Sequence, residues 1–261
     1  MTTIMAVGDT HGDWSHLNQL INKKHPDIIL QCGDWGWWPK FHNTTMIFNG
    51  YETIELTAND GRKIRHRVAK KWDLFAIKPQ DTKIYWCDGN HEDHWDLKEE
   101  RNYIPSPCET QKNVYYMKRG SVLTLPDGKN IMFFGGAASI DKEYRKIGLD
   151  WFPEETIADS DVRNLPNSKI DIMVTHTCPL EVNKFINNKT NVWAAEKFRD
   201  PSQDALSYLL NRYNPELWFF GHFHTTLKTK IGNTTFYAMN MPPNEMWWRW
   251  VPGYSPKDQM Q

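Results

Sequence analysis

The chain has 261 residues, with 31 basic and 32 acidic side chains and a formal net charge of -1, so it carries no overall field that would draw nucleic acid. A hydrophobic share of 39%, including 13 Trp, 12 Phe and 10 Tyr, is enough for a sizeable core and excludes a disordered composition. No apolar run approaches the roughly 18 residues that span a bilayer, and Met1 opens into a strand-like stretch rather than a leader; the expectation is a cytoplasmic protein with no membrane partner.

Residues 3–7 are short and apolar, 14–22 have helical spacing and 28–32 are apolar again, which reads as a βαβ unit. Residues 40–80 separate two strand ends by more chain than a βα connection needs and read as an insertion. Within it, 53–56 and 63–68 flank Asn59-Asp60-Gly61, a hairpin signal whose second arm carries Arg65 and Arg67. A further strand is expected at 84–87, a helix after Glu92, and hairpins at 121–125 with 130–134 and at 227–231 with 234–237. Apolar runs at 170–175 and 217–220 complete five buried strands, and 202–213 is helical after Pro201. This order defines an α/β protein in which the hairpins build a second, partly antiparallel sheet. One domain is expected over residues 1–240, with the aromatic Met246-Trp247-Trp248-Arg249-Trp250 in a tail at 241–261.

Cys32, Cys87, Cys108 and Cys178 form no CxxC pair and read as reduced, buried thiols. The five strand ends deliver Gly8-Asp9-Thr10-His11-Gly12, Gly33-Asp34, Gly89-Asn90-His91-Glu92, Thr175-His176 and Gly221-His222-Phe223-His224. Hard oxygen donors mixed with imidazole nitrogens suit Mn, Fe, Zn or similar ions better than Ca or Mg. In extended chain, residues two apart share a side, so Asp9 with His11 and His222 with His224 are each expected to aim at one centre. A glycine beside each ligand is expected to let the backbone turn off the strand.

On these five blocks, in this order, the chain resembles the calcineurin-like metallophosphoesterase family. The resemblance implies a four-layer α/β/β/α sandwich of two mixed sheets with two divalent metal ions at the sheet ends, Mn first and Fe, Zn or Ni as alternatives. It implies Asp9, His11 and His224 on the first metal, Asn90, His176 and His222 on the second, and Asp34 bridging both. A water activated between the metals would attack phosphorus in line, with His91 as the general acid.

The protein serine/threonine phosphatases of this superfamily carry an Asp and an Arg after the second block, where this chain has Trp35-Gly36-Trp37-Trp38-Pro39. Asp93 or Asp88 is left to orient His91, and Arg145 or the hairpin's Arg65 and Arg67 to hold phosphate. Trp35 and Trp37 are candidates for stacking on a nucleobase, with core packing as the alternative. The stretch from Asn113 to Gly136 looks like the corresponding region of lariat-debranching phosphodiesterases. The expected function is hydrolysis of phosphate mono- or diesters of nucleotide or small phosphorylated type, with a protein phosphatase or a catalytically silent interaction module as alternatives.

Overall fold

The computed structural model describes residues 2–38, 76–98, 106–187 and 199–256 together with the backbone of 47–57, 63–72 and 99–103. Its first half contains β1 (Ile4–Val7), α1 (Ser15–Lys24), β2 (Ile28–Gln31), β3 (Ile47–Thr57), β4 (Lys63–Trp72), β5 (Lys83–Trp86) and α2 (His94–Tyr103). Then follow β6 (Cys108–Gln111), β7 (Val114–Tyr116), β8 (Ser121–Thr124) and β9 (Asn130–Phe134). The remainder comprises β10 (Ile172–Thr175), α3 (Leu180–Asn187), α4 (Ser202–Tyr213), β11 (Leu217–Phe220), β12 (Leu227–Ile231), β13 (Thr234–Ala238) and β14 (Trp248–Trp250).

Two six-stranded sheets result, ordered β14-β1-β2-β5-β7-β6 and β12-β13-β11-β10-β9-β8. Each has a parallel centre and antiparallel edges. The parallel centres explain the unbroken apolar runs, because such strands are covered on both faces.

Alternation along each strand sorts the layers. Ile4 and Ala6 of β1 enter the core between the sheets beside Ile28, Leu30 and Tyr85, against Phe133, Val174, Phe219 and Tyr237 of the other sheet. Met5, Val7, Ile29 and Trp86 point the opposite way and meet Leu17, Leu20 and Ile21 of α1 and Leu97 of α2. On the far side, Met132, Phe134, Trp218 and Phe220 meet Val182 and Ile186 of α3 and Leu206 and Leu209 of α4. Three apolar cores stacked in this way are the four-layer α/β/β/α sandwich, each fully buried large side chain contributing about 1.5–3 kcal/mol.

The ligand-bearing strands do not share one sheet: β1, β2 and β5 lie in the first, β10 and β11 in the second, flanked there by both hairpins. Sequence periodicity reports which residues are buried and not which sheet buries them. The aromatic tail segment is built into the sandwich, with Trp248, Arg249 and Trp250 paired to Val7, Ala6 and Met5. β3 and β4 form their own antiparallel ladder with Thr53 opposite Arg67 and Glu55 opposite Arg65. The Asn59-Asp60-Gly61 turn and the side chains of Arg65 and Arg67 lie outside the described residues. All four cysteines are buried thiols outside any disulfide. Among the described residues no helix is long and apolar enough to cross a membrane.

Candidate metal centre

Each of the five central strands ends where its buried run gives way to polar residues, and those ends converge. One ligand atom from each of Asp9, His11, Asp34 and His224 lies within 4.8 Å of the others. His224 Nε2 is 3.1 Å from Asp9 Oδ2 and 3.1 Å from His11 Nε2, and His11 Nε2 is 3.6 Å from Asp34 Oδ2. Beside this group, His176 Nε2 and His222 Nδ1 each lie 3.0 Å from Asn90 Oδ1. His176 Nε2 also lies 3.3 Å from Asp34 Oδ1. Asp34 thus presents one carboxylate oxygen to each group.

The local backbone departs from the extended geometry expected of the two-apart spacings. His11, Asp34, His222 and His224 have φ of 47°, 50°, 67° and 44°, in the left-handed region. Such conformations cost about 1–3 kcal/mol each and persist where neighbours over-determine them. Here the constraint comes from the ligands' own network. The Asp34 carbonyl accepts from Thr10 N–H and His11 N–H, Asp9 Oδ2 accepts from His222 N–H at 2.9 Å, and Asp34 Oδ1 accepts from the N–H groups of Asn90 and His91. As a consequence His222 and His224 do not aim at one centre: the first faces Asn90 and the second Asp9.

Two glycines serve clearance more than turning. A Cβ on Gly221 would collide with Asp9 Oδ1 and one on Gly89 with Asp34 Oδ1, so these positions let a neighbouring ligand approach. Orientation of the rings is fixed from behind. His176 Nδ1–H donates to the Cys32 carbonyl at 2.9 Å, which leaves Nε2 as the lone-pair nitrogen.

Burial acts to raise the Asp34 pKa, but His176, His91 and His11 hold it well below the usual carboxylate range. Burial acts to lower that of His176, yet Asp34 and Asp9 push it up to about 10. A divalent cation would replace that proton, because an imidazole ligates only when neutral. Burial depresses His11 and His222. The donor set of carboxylates, one amide oxygen and imidazoles fits borderline divalent ions.

The substrate candidates fare unequally. Arg145 reaches the centre, with Nη2 3.0 Å from His91 Nε2 and an ion pair to Asp141 at 2.8 Å. Burial, together with the Arg145 charge, keeps the His91 pKa well below its ordinary value. Trp35 is only 2% exposed and stacks on Trp86 with ring centroids 5.7 Å apart. Trp37 packs on Trp86 as well and its Nε1–H donates to Asp96. Trp35 therefore belongs to the core beneath the site rather than to a base-stacking platform, and the half-buried Trp37 packs against that same core.

The suggested acidic partners of His91 have other work. Asp88 binds the buried Arg119 at 2.6 Å and accepts from Tyr116 Oη–H, and Asp93 Oδ1 accepts from Asp96 N–H at the start of α2. Glu92, Arg119, Ser139 and Glu155 are functional neighbours that the sequence pattern does not single out. Glu92 is fully buried, and its carboxylate accepts from Gly36 N–H at 3.1 Å and Gly89 N–H at 2.6 Å, tying the Asp34 loop to the Asn90 loop. Burial and the Asp34 charge push its pKa up to about 8. Arg119 links Asp88 and Asp161 to the carbonyls of Glu154, Glu155 and Thr156. Glu92 was visible only as a motif letter, and the other three sit in stretches without periodic pattern.

Two sheets that gather oxygen and imidazole donors at their strand ends define the class of a metal-dependent phosphoesterase. The family described as Calcineurin-like phosphoesterase matches residues 2–226, and the chain belongs to it. No curated protein matches the chain. Among solved structures, it is similar to phosphopantetheinyl hydrolase from Mycobacterium tuberculosis, with 17% identity, a TM-score of 0.50 and 98% of each chain covered. It also matches the anchor in the inner membrane complex of Plasmodium at 9% identity and a TM-score of 0.39, over 97% of this chain and 79% of that one. At such identities the first likeness concerns the fold.

Proposed function

We propose that this protein is a dinuclear metal-dependent phosphoesterase that hydrolyses phosphate mono- or diesters, with nucleotide-type esters as the first substrate class and Mn as the first metal. The observation that carries the reading is Asp34, whose two carboxylate oxygens face separate donor groups. Asp9, His11 and His224 would hold one ion and Asn90, His176 and His222 the other. When bound, such a pair supplies Lewis acidity toward the phosphoryl group and acidifies water.

The chain's own contribution is to place charge and protons around the phosphate. Arg145 contacts His91 and offers its guanidinium to a phosphoryl oxygen, a pairing suited to its fixed fork of donors. While it donates to His91 Nε2, that imidazole stays neutral. Once Arg145 turns to phosphate, His91 Nε2 is freed to take up a proton from solvent, and the resulting imidazolium can give that proton to the leaving oxygen. With Trp35 committed to the core, preference for nucleotides rests on contacts other than stacking by that ring.

Metal titration of chelator-treated protein, followed by turnover of bis-p-nitrophenyl phosphate, p-nitrophenyl phosphate, nucleotides and phosphoserine peptides, tests the reading. Two equivalents of Mn and turnover of a phosphate ester are expected. A protein that binds both ions and hydrolyses none of these, or that binds a single ion, defeats it. Selective peptide turnover would shift the substrate class to phosphoproteins.

A further inference from the structure

An asparagine is a two-faced ligand: its carbonyl oxygen and its amide nitrogen are nearly isosteric, and only the oxygen can bind a cation. Asn90 Oδ1 faces His176 Nε2 and His222 Nδ1 at 3.0 Å each, so the amide is already turned the useful way. Its other end, Nδ2, donates to Ser139 Oγ at 3.0 Å. A hydroxyl, however, can also donate, and it would donate to an amide oxygen just as readily. Something must decide which way Ser139 presents itself.

Glu155 does so. Its Oε2 accepts from Ser139 Oγ–H at 2.8 Å while Oε1 accepts from Ser139 N–H at 2.6 Å, a two-point grip on one residue. Trp151 Nε1–H donates to Oε1 at 2.9 Å, and Glu155 is only 1% exposed. Its backbone is anchored by Ala137 N–H and Arg119, both of which donate to the Glu155 carbonyl. Burial pushes the Glu155 pKa up to about 7, against the pull of the Ser139 N–H and hydroxyl and the Trp151 indole. As a carboxylate it is acceptor-only, so above that pH the one hydroxyl proton of Ser139 points to Glu155 and a lone pair is left for the amide N–H of Asn90.

We propose that Ser139 and Glu155 are positioning residues that fix the flip of Asn90 and so create the second metal site. The inference rests on the dinuclear reading above. It also gives a function to the loop between β9 and β10, which holds both residues and Arg145.

The test is Mn titration of the full chain by calorimetry, with the electron paramagnetic resonance spectrum at two equivalents. Wild type should bind two ions and show an exchange-coupled pair. Ser139→Ala removes one hydroxyl; it should bind the second ion about 10–100-fold more weakly, the range for loss of an outer partner of a ligand, and retain first-site affinity and an uncoupled signal. Ser139→Thr, which restores a hydroxyl, should restore coupling. Should Ser139→Ala not fold, Glu155→Gln probes the same link at constant volume. Two wild-type affinities and an unchanged coupled spectrum in the folded variant would overturn the positioning role alone. A wild type that takes up only one ion would overturn the dinuclear reading and this inference together.

Discussion

Replacing Glu92 by Ala tests whether the two halves of the metal centre are held together by one buried carboxylate. The substitution leaves two buried backbone N–H groups, those of Gly36 and Gly89, without their acceptors. At about 1–3 kcal/mol for each orphaned donor, the loss is about 2–6 kcal/mol, a large share of the roughly 5–15 kcal/mol typical of a domain. Glu92→Gln keeps one acceptor oxygen and should lose about half as much. Urea unfolding at pH 7 in Mn measures both variants, and Mn affinity should fall with stability because the Asp34 and Asn90 loops part. A Glu92→Ala protein less than about 1 kcal/mol below wild type, with an unchanged denaturant slope, would mean that the clamp is dispensable. The pKa of about 8 adds a signature in chelated protein. A carboxyl raised above its unfolded value of about 4.5 favours the protonated fold. Its contribution is complete below that value and disappears as pH rises through about 8. Glu92→Gln should flatten this decline, and bound Mn, which favours the ionised carboxylate, should weaken it in wild type.

Trp35→Phe should lower stability by about 1–3 kcal/mol while leaving the KM for nucleotides unchanged, because the indole packs on Trp86 below the site; a KM raised tenfold with stability intact would return Trp35 to the binding surface. Arg145→Ala should reduce kcat/KM by about 10²–10³-fold, the scale of one transition-state donor, and Arg145→Lys should rescue little of it, as steady-state kinetics will show. His91→Ala should slow esters with alkyl leaving groups by about 10²–10⁴-fold and p-nitrophenyl esters far less, since nitrophenolate needs no proton. Equal losses across a leaving-group series would remove the general-acid role.

The sheet ends were legible because a buried parallel strand must be apolar on both faces, and the polar residue that follows it marks where burial stops. Asp9, Asp34, Asn90, His176 and His222 were found in that way. What the pattern could not carry was direction. His222 and His224 are two apart, and extended backbone would have put them on one side; left-handed φ at both sends them to different groups. Nothing in residue type announces that conformation at a histidine, since it is imposed by Asp9 accepting the His222 N–H from another strand.

The same limit explains His91. Asp88 and Asp93 lie close to it in sequence and are the natural candidates to orient it. A buried Arg119 needed a carboxylate more: an unpaired guanidinium in that interior would be far costlier than a neutral imidazole, and Asp88 answers it at 2.6 Å. His91, left to Arg145, takes the neutral form that burial already favours. Removing Arg119 should therefore act on chemistry at a distance. Arg119→Met releases Asp88 and frees the 154–156 carbonyls together, so the loop that carries Arg145 should loosen along with the Asn90 block. Hydrogen exchange should show amides of 137–156 opening faster in that variant, with those of α4 unchanged. A uniform change across both segments would make Arg119 a global stabiliser and not the tie between the loop and the metal centre.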